Sequence, residues 1–478
     1  MSSRQAFAYF LSHGVPALVS FASIAVFTRL LSPEAYGMYA LVFAIAGMLN
    51  AVLFEWLKLS LLRYYIKYKN DVGFFETIKL SFIALMLTSF IIGVGAMFFF
   101  KDNEFSPLFI LITLVLSWTQ SWNSINLSLM RARLDPKSYG MLAFNRTTLG
   151  LVLGTALIYA GFAEIGLLIG LILAFWITLL LPTLKYWKIT IKPNLFKTEY
   201  IKQFLKYGMP LTMTLLMGVI IHNSDRLIIN YLMDTSATGI YAVTYDLSEQ
   251  SIFTLMMMIN LAAFPLVLKV MEEKGEKAAY VQVSKNTAIL FFVSLPAVAG
   301  FVMISPNIVH LLLGESFRSD ALGLIPYIAI GALLKGFKLY SVDIMFHLKQ
   351  RTALQIGPVV FAGLLNIFLN FTLIPIYGIE GAAISTVAAY ASAVILSWIL
   401  VHVQINPLPF PWIEFLKVIA ATIIMSLALW PLSEETGFLA LFLQLILGAI
   451  AFGFSACLLN ILDVRQGVGK LASKILKR

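Results

Sequence analysis

Five basic side chains lie where a charge is hardest to keep, inside long apolar stretches: Arg146, Arg226, Lys335, Lys338 and Lys417. An ionised group at the centre of a membrane helix costs ~2.5 kcal/mol or more, so it is kept for an anion or for a buried partner. Lys335 and Lys338 are three apart, on one helical face, in the middle of their stretch. Arg146 stands about seven residues into its own, roughly 10 Å along a helix. Arg226 has Asp225 beside it, and Arg29 closes the first stretch. An arginine fork can donate twice to one oxyanion, whereas a lysine is a movable point charge. Lys417 is near enough to an end to snorkel and is set aside. The acids divide similarly. Asp246 and Glu249 are three apart on one face, and Glu55 and Asp343 lie nearer the ends of their stretches. Such a carboxylate can bind a proton or a sodium ion and couple transport to a gradient, or it can neutralise one of the cations. The spacing leaves both readings open.

The elements that must hold these groups are membrane helices. Hydrophobic residues make up 60% of the chain and charged ones 12%, and mean hydropathy is +0.88. Fourteen stretches approach the ~20 residues a span requires: 7–30, 38–60, 79–100, 107–130, 139–160, 164–185, 204–230, 239–268, 281–304, 322–346, 353–375, 380–402, 411–430 and 438–461. The fold expected is all-α and polytopic, with no room for a soluble catalytic domain. The net charge of +10 is a topology signal rather than a nucleic-acid footprint, because 26 of the 34 Lys and Arg fall on one set of alternate ends. The opposite set holds only Arg29, Lys101 and Arg318. The positive-inside rule then puts both termini in the cytoplasm. The first apolar stretch is long and lacks a signal-peptide cleavage site, so it is expected to be retained as a helix. The single Cys457 excludes disulfides. Five scattered His residues show no metal spacing, no nucleophile–base set is visible, and no glycine-rich phosphate loop exists. No enzyme and no cofactor is expected.

The chain also repeats itself. Phe10-Leu11-Ser12-His13-Gly14-Val15-Pro16 returns 194 residues later as Phe204-Leu205-Lys206-Tyr207-Gly208-Met209-Pro210. Gly37-Met38-Tyr39-Ala40 returns at an offset of 202 as Gly239-Ile240-Tyr241-Ala242, and Glu164-Ile165-Gly166 is echoed more weakly by Glu380-Gly381-Ala382. Two copies of a membrane module point to two pseudo-symmetric lobes with motion between them. The division is an N-lobe over 1–190, an amphipathic cytoplasmic linker over 191–203, a C-lobe over 204–403, an added pair of spans over 411–461 and a basic tail over 462–478. Gly-x-Pro near the start of each lobe suggests bent first and seventh helices, with plain helix packing by Gly and Pro an equal reading. In the linker, Asn194 can cap a helix whose Phe196, Tyr200, Ile201, Phe204 and Leu205 share a face suited to the membrane surface.

Three stretches give the chain a resemblance. They are Gly14-x-Pro16 followed by Thr28-Arg29-Leu30-Leu31-Ser32-Pro33-Glu34-Ala35-Tyr36-Gly37-Met38-Tyr39; Asn223-Ser224-Asp225-Arg226-Leu227-Ile228-Ile229 followed by Thr238-Gly239-Ile240-Tyr241; and Asn370-Phe371-Thr372-Leu373-Ile374-Pro375-Ile376-Tyr377-Gly378-Ile379-Glu380-Gly381-Ala382-Ala383. Over essentially the first 400 residues the chain resembles the Wzx-type oligosaccharide flippases, the polysaccharide transporter family of the multidrug/oligosaccharidyl-lipid/polysaccharide exporter superfamily. The last two spans look like the added pair of the related lipid II flippase. The resemblance implies transfer of a polyprenyl-diphosphate (undecaprenyl-diphosphate) oligosaccharide, as in O-antigen or lipopolysaccharide assembly, from the inner to the outer leaflet of the bacterial cytoplasmic membrane. It implies alternating access, and as partners the lipid-linked oligosaccharide, membrane lipids and other membrane proteins of polysaccharide assembly. Arg146, Arg226, Lys335, Lys338 and Arg29 become the cations expected to face the diphosphate. Asp246, Glu249 and Glu55 become the candidates for ion coupling. Asn50, Asn123, Asn126, Asn145, Asn260 and Asn366 could meet sugar hydroxyls and Trp118 and Trp122 could stack on sugars, although interhelical bonding and packing are commoner uses. Two other readings stay open: a drug/cation antiporter of the same superfamily, which would favour acids over lysines in its cavity, and a membrane-embedded glycosyltransferase or polymerase, which would need large polar loops.

Overall fold

The computed structural model describes residues 3–99, 107–187 and 190–465. Lys101 and the tail from residue 466 onward lie outside the described residues. Sixteen α-helices follow one another, with no strand among the described residues. They are α1 (Ser3–Leu30), α2 (Pro33–Leu53), α3 (Glu55–Tyr68), α4 (Val72–Phe99), α5 (Pro107–Ala132), α6 (Pro136–Leu157), α7 (Ala163–Tyr186), α8 (Thr198–Leu232), α9 (Thr235–Lys274), α10 (Glu276–Met303), α11 (Ser305–Leu312), α12 (Glu315–Phe337), α13 (Asp343–Leu348), α14 (Ile356–Gln404), α15 (Trp412–Leu429) and α16 (Phe438–Leu458).

Each of the fourteen apolar stretches is helical over its described residues. Among the described residues, ten helices or helix runs are long and apolar enough to cross a membrane, eleven with the bent α8. Two of these runs, 136–187 and 352–404, hold two stretches each. They reverse at Gly161 (φ 92°) and Gly378 (φ 58°), backbone conformations that residues with a Cβ seldom adopt. Helix starts follow local chemistry. The Ser32 hydroxyl accepts from Ala35 N at 3.2 Å with Pro33 at the first position, Asp135 accepts from Ser138 N at 3.0 Å ahead of Pro136, and Asp234 accepts from Ala237 N at 2.7 Å. Each satisfies a donor that a helix N-terminus leaves open.

The chain divides into two compact units, residues 1–242 and 243–478, with α9 crossing the boundary. In the first, α6 lies between α1 and α7, and α8 packs on α2 and α3. The core under α3 joins Leu57, Leu61, Phe74, Tyr200 and Phe204, all buried. In the second, α12 packs on α14, and α15 lies between α10 and α16. Phe291, Phe337, Met345, Phe346 and Val401 form a core there. Lipid tails are as apolar as these side chains, so close packing rather than escape from lipid holds such helices together. The α15–α16 pair presents Trp430, Phe438, Leu439 and Phe454 outward, a surface for hydrocarbon rather than water.

Two of the sequence echoes meet inside the first unit. The start of α2 crosses the start of α9 so closely that a Cβ on Gly37 would lie 1.8 Å from Thr235 O, and one on Gly239 would lie 2.0 Å from Pro33 O. The relation is reciprocal: each repeat's glycine faces the other repeat's first helical carbonyl. Beyond Pro210, α8 bends by 55° between Thr198–Met213 and Gly218–Leu232. Through Pro16, α1 continues as one helix from Ser3 to Leu30. The linker differs from its sequence reading. Asn194 sits in a short 3-10 turn (Pro193–Leu195) and the helix starts at Thr198. Tyr200 and Phe204 turn into the protein core instead of onto the membrane. The physical reason is the aromatic pocket already formed by α3 and α4, where Phe74 lies edge-on to both rings.

Candidate functional site

The second unit holds the two mid-span lysines, each against a carboxylate. Lys335, near the end of α12, pairs with Glu249 of α9. The lysine side chain is 20% exposed and that of Glu249 11%. Aromatic rings surround the ammonium: Phe253 at 4.7 Å and Tyr390 at 5.9 Å from centroid to Nζ, with Tyr340 stacked on Phe253 at 5.5 Å. Ring faces favour a cation, so the lysine is held by charge and by quadrupole together.

Lys338 is treated differently. Between α12 and α13 the chain makes a π-turn over Lys338–Val342, and Asp343 N donates to Lys338 O, a bond spanning five residues. The wide turn brings residues five apart to one side of the helix. Lys338 Nζ therefore reaches Asp343 Oδ2 at 2.7 Å, with side chains 5% and 2% exposed. A regular helix would set these two residues on different faces, so sequence spacing gives no sign of the pair. Asp343 Oδ1 is buried without a hydrogen-bond partner, and Thr287 and Ser341 share a hydrogen bond at 2.7 Å beside the turn.

The first unit holds Arg146 without a carboxylate. Its Cζ lies 5.3 Å from the Phe175 ring centroid, and its Nε is buried without a hydrogen-bond partner. No acid pairs with it among the described residues. On the same helix, Asn145 lines a cleft of about 420 Å³ with Val15, Pro16, Lys137, Gly140, Met141 and Phe144. Val15 and Pro16 of the α1 Gly-x-Pro motif thus wall this cleft. On α5, the buried side-chain atoms Ser117 Oγ, Gln120 Nε2 and Asn123 Oδ1 also lack protein partners. Buried polar groups of this kind are normally satisfied by water or a ligand.

The other candidates are placed as follows. Arg226 is buried beside Asp225, whose Oδ2 accepts from Tyr241 Oη at 2.5 Å. The Gly-x-Tyr-Ala repeat therefore also supplies a ligand to the Asp-Arg pair. Arg29 Nη1 donates to Ala25 O at 2.6 Å in the last turn of α1. Asp246 is half-buried on α9. Glu55 pairs with Lys58 one turn on. Asn126, Trp118 and Trp122 hold helices together. Trp118 Nε1 donates to Ser89 Oγ at 2.8 Å, Trp122 Nε1 to Thr183 Oγ1 at 2.9 Å and Trp187 Nε1 to Asn126 Oδ1 at 3.0 Å. Asn366 donates to Thr386 and accepts from Asn370, both at 3.3 Å. Among the described residues no cluster of three or more His, Cys, Asp or Glu could hold a metal ion.

Comparison with known proteins gives this architecture a context. No curated protein matches the chain. The lipid II flippase MurJ, in an inward closed conformation, superposes with a TM-score of 0.72 at 17% identity, over 96% of this chain and 99% of that one. An inward-facing multidrug resistance MATE family transporter of the MOP superfamily gives 0.61 at 16%, over 86% and 98%. A MOP superfamily transporter from Pyrococcus furiosus, whose binding pocket is described as of reverse polarity, gives 0.54 at 18%, over 84% and 94%. At such identities these likenesses establish the fold alone, a polytopic helical architecture. Residues 26–322, well over half of the chain, match the family described as "Polysaccharide biosynthesis protein". The chain belongs to the polysaccharide biosynthesis protein family.

Proposed function

We propose that this protein is a flippase that carries a polyprenyl-diphosphate-linked oligosaccharide from the cytoplasmic to the outer leaflet of a bacterial inner membrane by alternating access, with both termini cytoplasmic. The observation that carries the reading is Arg146: an intramembrane guanidinium with a buried Nε lacking a partner and no carboxylate against it. Sugar hydroxyls and a diphosphate lose their hydration in hydrocarbon, so their passage needs a wet polar route with a cation for the phosphates. Arg146 supplies the unneutralised cation. Lys335 supplies one that a phosphate can take over from Glu249, whose release then serves ion coupling. Arg226, Lys338 and Arg29 are assigned to secondary contacts with the diphosphate, and Asp246 and Glu55 to the acid side of coupling. Family membership and the MurJ-like fold support the substrate class.

The test is mass spectrometry of membrane lipids from cells lacking the protein, against complemented cells. A completed polyprenyl-diphosphate oligosaccharide should accumulate, and complementation should remove it. An incomplete oligosaccharide would instead identify an enzyme of assembly. Unchanged lipids with altered sensitivity to cationic drugs would identify an antiporter.

A further inference from the structure

At the basic end of the first unit, the corner between α3 and α4 and the segment leading into α8 line an open cavity of about 620 Å³. Its lining includes Lys67, Lys69, Asp71, Gly73 and Lys197, with Ile66 and Val72 at the rim. Volumes of this order hold small ligands. The charge is unbalanced. Asp71 is the only acid of the lining, and it is fully engaged: Oδ2 takes Lys197 Nζ at 2.9 Å and the Tyr200 hydroxyl, and Oδ1 takes Gly73 N at 2.7 Å. The Tyr200 hydrogen bond above all, and then that from Lys197, holds its carboxyl below the usual range. Lys67 rests over the Tyr68 ring at 4.9 Å. Neither Lys67 nor Lys69 has a carboxylate partner among the described residues. Two uncompensated ammonium groups therefore stand at the mouth, while Ile66 is 77% and Val72 46% exposed. Basic groups interleaved with exposed apolar ones suit a phosphate whose remaining atoms are hydrocarbon.

We infer that this cavity binds the phosphate of an anionic membrane lipid, and that the bound lipid staples the linker to the α3–α4 corner. The linker already docks there through Lys79 Nζ to Thr190 O at 3.0 Å, Lys192 N to Glu76 Oε2 at 3.3 Å and Lys197 N to Thr77 Oγ1 at 3.1 Å. A phosphate spanning Lys67, Lys69 and Lys197 adds a bridge between the corner and the segment that opens the bent helix α8. Exposed apolar groups at the rim favour a lipid over a soluble phosphate as the source.

The experiment uses the full-length protein in phosphatidylcholine nanodiscs with and without phosphatidylglycerol. Retained lipid is counted by native mass spectrometry, and protection of backbone amides over 190–197 is followed by hydrogen exchange. The variant is Lys67→Gln/Lys69→Gln, two surface positions whose loss leaves the core intact. Lys269→Gln, at an exposed surface pair with Glu273, is the control. Two lysines at about fivefold each predict retention weakened about twenty-five-fold in the double variant, with the added protection lost and the control unchanged. Inorganic pyrophosphate is titrated in parallel. Its binding, lost in the same variant while phosphatidylglycerol retention is unaffected, would keep the anion site but overturn the lipid source. Unchanged behaviour of the double variant toward both probes would overturn the site itself.

Discussion

Arg146 of the first unit and the two mid-span lysines of the second keep their charge in opposite ways. In the second, Lys335 and Lys338 each rest against a carboxylate. In the first, Arg146 rests against an aromatic ring and has none. The paired lysines cost little to keep but are committed, since an incoming anion must displace Glu249 or Asp343. The arginine is costly to keep and needs no displacement. That difference separates groups that hold helices from groups that await a ligand, and it can be tested by removing one partner at a time.

The largest effect is expected at Lys338. Asp343→Asn leaves a nearly inaccessible ammonium without its counter-charge, a change worth about 3–5 kcal/mol. The melting temperature in detergent should drop sharply. Adding Lys338→Met should recover most of the loss, and failure to recover would mean that the stranded ammonium is not its cause. Glu249→Gln should cost less, about 1–3 kcal/mol, because Lys335 keeps its aromatic neighbours and partial exposure. Its distinguishing result is a transport rate that loses its dependence on the ion gradient while protein abundance is kept. Arg146→Gln should change stability by about 1 kcal/mol or less. Transport should nevertheless fall roughly tenfold or more, the worth of one charged hydrogen bond of about 1.5–3 kcal/mol. A full transport rate in that variant would erase the contrast between the units. The smallest effect belongs to the exposed Asp71–Lys197 contact. Its carboxylate is held below the usual range, so its contribution is fully present above the unfolded value near pH 4 and is lost as pH falls through the lower folded value. Protease nicking of the linker should rise only in that acid window, and Asp71→Asn should make it independent of pH.

The helices and the repeat were legible in the sequence because apolar length and motif echo are local properties. The fourteen apolar stretches and the reversal around Gly378 follow from residues close together in the chain. The candidate site was legible only as a list. That Lys335 meets Glu249, 86 residues away, depends on how α9 and α12 pack. That Lys338 meets Asp343 depends on one extra residue in a helical turn, which spacing rules for regular helices cannot supply. The linker was misplaced for a related reason. Its aromatic face suited a membrane surface equally well, and only the pocket formed by α3 and α4 decides where Tyr200 and Phe204 go.

The reciprocal crossing at Gly37 and Gly239 ties two echoing stretches of the sequence to each other's backbone. Gly37 needs the carbonyl of Thr235 where it is, and Gly239 needs that of Pro33. A side chain gained at either glycine would be felt at once in the other stretch, so neither of the two can change alone.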